Sequence, residues 1–196
     1  MMQAAEKLSS LLVKKTYIKA EEQHIYSFCF EVIFSGIAFW GSMLLFAPLT
    51  NTLLPTALYL FSFLLFRHIA GGYHASTHFR CFMMSTVCYA LFFLALLLVP
   101  SHCYLTLSFL FIAISYCAFL FFAPIDHINN PFTVEQKIQL RRKLLLLMLF
   151  FLLCITILAA CHYHAFVFYL ACGCLQSGLA IVLAEKNKRK DGVYNG

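Results

Sequence analysis

Residues 51–99 read NTLLPTALYLFSFLLF, then RHIAGGYHASTHFRC, then FMMSTVCYALFFLALLLV. Two continuously apolar runs flank one polar interval, Arg67–Cys81, which holds three histidines, two arginines, a glycine pair and a cysteine. The runs do not alternate in polarity, so they are not half-buried strands. Backbone exposed to lipid must also satisfy its hydrogen bonds within its own segment, which only a helix can do here. The stretch therefore reads as helix, polar connection, helix, with the chemistry-bearing side chains gathered between two membrane segments.

The same pattern extends over the whole chain. Of its 196 residues, 62% are hydrophobic and 11% charged, and the mean hydropathy is +0.84. Such a balance excludes an ordinary soluble domain. A span needs about 20 apolar residues to cross the hydrocarbon. Six runs qualify, at 28–47, 51–66, 82–99, 104–123, 144–160 and 165–184; the second and fifth are short and read as tilted, re-entrant or partly interfacial. The fold class expected is an all-α polytopic membrane protein, with residues 1–196 forming a single membrane-embedded domain. Residues 1–27 carry Lys7, Lys14, Lys15 and Lys19 beside Leu8, Leu11, Leu12 and Ile18 at helical spacing. This predicts an amphipathic helix on the membrane surface rather than a cleaved signal segment.

Orientation follows from the cations. All 14 Lys and Arg fall in the N-terminal segment, the 67–81 interval, the 137–143 interval and the tail after Leu183. Alternate connections thus carry all of the positive charge, which places both termini and Arg67–Cys81 in the cytoplasm. The net charge of +6 serves orientation and contact with anionic lipid, not nucleic acid.

Six of the nine cysteines (29, 88, 117, 154, 172 and 174) lie in the apolar runs as small packing residues. Cys103 and Cys161 share the predicted outer face, either as a disulfide or as free thiols. Cys81 alone stands beside histidines and arginines, surroundings that favour the thiolate. Three readings of the interval remain open on spacing alone. Cys81 is a nucleophile with a histidine as base; or His74, His78 and Cys81, at i, i+4 and i+7, hold a metal; or the polar side chains merely end two spans at the headgroups. Ala75 follows His74 where a zinc protease carries glutamate, which counts against catalytic zinc. On a regular helix His78, three residues before Cys81, is the nearer base. His74 reaches the thiol only if the segment bends, which Gly71–Gly72 permit. Glu31, inside the first span, and Asp126 are candidates for a third member. The sixth span's Cys172, Gly173, Cys174, Gln176, Ser177 and Gly178 suit close helix packing.

Arg67, Ala70, Gly71, Gly72, His74 and Cys81 together resemble the signature of the accessory gene regulator B (AgrB) family, membrane cysteine endopeptidases that process cyclic peptide pheromone precursors in Gram-positive bacteria. Ala123–Pro124 followed by Asn130–Pro131 is similar to a second family pattern, with asparagine in place of its lysine. The resemblance implies that His74 and Cys81 are the catalytic pair; Arg67, Gly71 and Gly72 are candidates for support from the same motif, and His78 from its helical spacing. It implies a short AgrD-like propeptide as substrate, thiolactone or lactone ring closure for quorum sensing, and a multi-pass place in the cell membrane. It implies no cofactor and no metal, and leaves homodimerisation open. The rival from another class is a small peptide transporter or export channel. It would use polar residues within spans, of which Glu31 and Gln176 are nearly all. A purely structural membrane subunit is the third.

Overall fold

A computed structural model describes residues 2–70, 78–125 and 133–194; within its helices some side chains, those of Glu31 and His78–Phe82 among them, are not described. The described residues form helices and no strand: α1 (Met2–Lys14), α2 (Gln23–Phe46), α3 (Leu53–Ala70), α4 (His78–Leu98), α5 (Tyr104–Phe122), α6 (Val134–Ala160) and α7 (His164–Tyr194). Short 3-10 turns occupy Ala20–Glu22, Ala47–Thr50 and Ser101–Cys103. An all-α membrane protein is thus the architecture, as the apolar runs require.

Four helices among the described residues are long and apolar enough to cross a membrane: Leu53–Ala70, Ser101–Phe122, Val134–Ala160 and His164–Lys186. Of α2 and α4, which cover the first and third expected spans, Trp40–Thr50 and Ser85–Leu98 form shorter apolar helical stretches. The second and fifth runs, expected to be short, are corrected, because helix length is not set by the apolar run alone. Helix α3 continues past Phe66 through Arg67–Ala70, and 18 residues rise about 27 Å at 1.5 Å each. Helix α6 starts at Val134, where Thr133 accepts from the Gln136 backbone N–H and Gln136 accepts from the Thr133 N–H. This reciprocal cap fixes the helix start in the polar segment, ahead of the apolar run. Along α6, Leu146, Leu149, Phe150, Leu153 and Ile157 are exposed. A long helix with an exposed apolar face is at rest only with hydrocarbon as its solvent.

The chain divides into two compact units, Met1–Leu53 with Ala75–Thr86, and Leu54–His74 with Val87–Gly196. In the first, α1 packs on α2 through Ala5 and Ser9, one turn apart and fully buried. The amphipathic reading is therefore refined: small residues face α2, Leu11 stays exposed, and Ile18 lies beyond the helix. Helix α1, which ends at Lys14, is closed by Thr16, with φ 58°, where Tyr17 N–H donates to the Leu12 carbonyl and Thr16 N–H to that of Val13. The same left-handed closure recurs at Asn51 (φ 55°) and His162 (φ 63°). The connection after α6 is accordingly no more than a tight turn, with Tyr163 N–H on the Leu158 carbonyl.

In the second unit α5 and α7 run parallel: Tyr104 stacks on Phe168 near one end (4.4 Å), and Gly178 lies against Ser115 further along. Helix α6 runs opposite to α5, with the Tyr116 hydroxyl donating to the Met148 carbonyl at 2.6 Å. Phe66 of α3 stacks on Phe119 of α5 and meets Phe151 of α6 edge-on. These residues belong to a buried cluster with Ala70, Ala123, Leu144, Met148, Ile155 and Cys174. A polar seam joins α3 to α7. Ser62 donates to the Leu170 carbonyl at 2.7 Å, and the Tyr59 hydroxyl donates to Gln176 Oε1. Gly173 sits between them, with no room for a Cβ beside the Tyr59 carbonyl and Ser62 Oγ. Lipid offers no hydrophobic drive to helix pairing, so close approach and intramembrane hydrogen bonds carry it.

Candidate active site

The predicted site residues are distributed over the end of α3, the segment after it and the start of α4. Arg67 is half-buried in the last turn of α3, with His68 exposed beside it. Cations in a last turn complement the partial negative charge of that helix end. Gly71, Gly72 and His74 lie outside the described residues, as do Asp126 and Asn130–Pro131. His78 and Cys81 both belong to α4, three residues apart, or about 4.5 Å along the axis. The open alternatives of a His74 base, a His78 base and a metal held by His74, His78 and Cys81 fall on these same residues. Glu31 is placed on α2, which runs Gln23–Phe46.

Around the other flank, contacts that sequence reasoning missed hold the end of α3. Ala70 is fully buried, and its carbonyl accepts the Ile125 N–H in a long contact of 3.5 Å. Ile125 follows the cis Ala123–Pro124 bond that ends α5. The Leu120 carbonyl, one of the last in α5, accepts from Arg141 Nη2 of α6 at 3.2 Å. The ends of α3 and α5 and the polar start of α6 therefore share one end of their unit. Arg67 and His68 stand in that last turn of α3, and Arg141 and Lys143 in the polar part of α6. A pattern of an alanine-proline pair and a basic run was visible, but no periodicity announces a backbone-to-backbone tie between residues 55 positions apart.

Elsewhere, Cys103 and Cys161 are free thiols rather than a disulfide. Cys172 and Cys174 are buried as packing residues, whereas Cys29 and Cys117 are exposed on their helices.

One family model, Accessory gene regulator B, matches residues 5–183. No curated protein and no solved structure is significantly similar to the chain.

Proposed function

Because the chain belongs to the accessory gene regulator B family and so has a role in the accessory gene regulator system, we propose that it is a membrane-embedded cysteine endopeptidase acting on a short propeptide. The observation that carries this reading is the match of residues 5–183 to that family, with His78 and Cys81 three residues apart on α4.

In the proposed reaction His74 takes the Cys81 proton and the thiolate attacks the carbonyl carbon of one propeptide bond. The oxyanion that forms is met by backbone N–H groups near Cys81. On collapse the C–N bond breaks, His74 returns the proton to the leaving amine, and the C-terminal tail departs. The remaining thioester is then taken by the propeptide's own thiol or hydroxyl, closing a thiolactone or lactone, or by water. The product is a quorum-sensing peptide. The site faces the cytoplasm of a Gram-positive cell, together with both termini, as the distribution of Lys and Arg supports.

Cleavage of a tagged propeptide by His74→Ala and His78→Ala at matched abundance tests the assignment. A general base contributes about 10²–10⁴-fold. His74→Ala loses at least that much, while His78→Ala keeps most of its activity. The opposite ranking gives the base to His78, and loss in both with rescue by zinc replaces the thiol mechanism with a metal site.

A further inference from the structure

The end of the second unit away from Arg141 carries its own concentration of metal-binding side chains. Helix α6 rises about 40 Å over its 27 residues. Its far end turns through Cys161, His162 and Tyr163 into α7, whose first residue is His164. Tyr104 stacks on Phe168, so the turn before α5, with His102 and Cys103, lies at that same end. Residues 99–104 and 159–166 hold three of the chain's eight histidines, two cysteines and no Asp, Glu, Lys or Arg. Imidazole and thiolate donors suit a late transition metal, whereas Mg²⁺ and Ca²⁺ want carboxylates and carbonyls.

Within this set two groups are already paired. The rings of His162 and His164 stand 5.7 Å apart between centroids, with their planes at 52°. Side chains two positions apart do not face one another on a helix; here the left-handed backbone of His162, φ 63°, swings them together. That conformation is uncommon for a residue with a Cβ, and backbone bonds hold it. His162 N–H donates to the Ala159 carbonyl at 3.1 Å, and Tyr163 N–H to that of Leu158 at 3.0 Å. Val167 N–H then donates to the Tyr163 carbonyl at 3.2 Å as α7 begins. A zinc-bound imidazole nitrogen lies about 2.0–2.1 Å from the metal and its ring centre about 1.1 Å further, so two rings sharing a tetrahedral ion have centroids about 5.2 Å apart. The observed pair is wider by about 0.5 Å, which a small side-chain rotation closes.

We propose that His162 and His164 form a two-histidine site for a late transition-metal dication such as Zn²⁺, clipping the end of α6 to the start of α7. No group of three His, Cys, Asp or Glu among the described residues is arranged to hold an ion, so water completes the coordination. His162 is exposed and His164 half-buried, which leaves the pair open to solvent on one side. The end of α6 and the start of α7 bring opposite partial charges to the turn, so the helix field barely alters the binding of a cation. Of the four long apolar helices, α7 has the largest buried share, and a clip on its first turn therefore bears on the packing of the unit. The site is independent of Cys81 and stands whether or not the peptidase reading does.

The test uses the full chain in detergent micelles, stripped of metal by a chelator, with Zn²⁺ alone as the probe. Binding is read by calorimetry, and the ligands by modification of histidines with diethyl pyrocarbonate followed by peptide mass spectrometry. The wild-type chain takes up Zn²⁺ saturably, and the ion protects His162 and His164 together. His164→Ala weakens binding at least about tenfold, since loss of even an outer-shell partner of a metal ligand costs about 10–100-fold. His162→Gly weakens it as much while easing the left-handed turn, so its unfolding midpoint without zinc stays at or above that of the wild type and misfolding does not explain the loss. His102→Ala binds as the wild type does. The proposal is overturned if no Zn²⁺ binds, or if His162→Gly binds as tightly as the wild type. It is equally overturned if protection falls instead on His74 and His78, or if His102→Ala abolishes binding.

Discussion

Replacing Gly173 by alanine places a methyl group where α3 already is. The new Cβ would overlap the Tyr59 carbonyl oxygen and Ser62 Oγ and lie 3.0 Å from the Phe63 backbone nitrogen. Two of these three atoms belong to backbone, so no rotamer change relieves the clash. Helix α3 must recede by about 1 Å to restore ordinary van der Waals separation. Overpacking of this kind costs about 1–3 kcal/mol. The same retreat stretches the Ser62 bond to the Leu170 carbonyl and the Tyr59 bond to Gln176, each worth about 0.6 kcal/mol inside a membrane. Alanine's better helix propensity returns about 1 kcal/mol. The net loss is about 1–3 kcal/mol. Gly41, where an added Cβ meets nothing within 4 Å, is the control and gains about 0.5–1 kcal/mol as alanine. Gly178 falls between them, its Cβ lying 2.9 Å from Ser115 Cα. Reversible unfolding of the three variants in bicelles ranks them. Equal stability of Gly173→Ala and Gly41→Ala would refute the close α3–α7 approach.

Other predictions follow from local geometry. Glycine at Thr16 stabilises the protein by about 1 kcal/mol, since a β-branched residue at φ 58° is strained. Glycine at Asn51 changes stability little because asparagine tolerates that conformation; equal gains at the two sites in thermal unfolding would contradict this. Thr133→Ala removes the α6 cap at a cost of about 1 kcal/mol. The effect is local and appears as roughly fivefold faster amide exchange at residues 134–137, whereas an unchanged rate there would show the cap to be idle. In variants that keep one cysteine each, an impermeant thiol reagent applied to intact cells labels Cys103 and Cys161 and spares Cys81; labelling of Cys81 from outside would invert the orientation.

Much of this architecture was readable before any coordinates, because a membrane span is specified by a long apolar run and little else. The position of α5 and the start of α7 follow from their runs within a residue, although α7 runs on to Tyr194, and the cluster of small residues near Gly173 marks a close helix contact. Helix ends were harder. Helix α6 begins at Val134 because Thr133 and Gln136 cap it, and α3 runs on through Arg67–Ala70 because a helix does not stop where hydrophobicity does. The spacing of the leucines in α1 did not show that Ala5 and Ser9 are its buried residues. In the site, the residue types and their order were legible. The tie between Ala70 and Ile125 was not, because it depends on where backbone groups fall in space.

The central claim is that Cys81 is the nucleophile. Its most direct test is cleavage of a synthetic propeptide by the reconstituted protein and by Cys81→Ala, with reactions quenched early in acid and the protein analysed by mass. The wild-type chain releases the C-terminal tail and carries a propeptide adduct on Cys81 that hydroxylamine removes, as a thioester requires. Cys81→Ala inserts in the membrane normally, carries no adduct and releases no tail. Tail release by Cys81→Ala at the wild-type rate would contradict the mechanism outright.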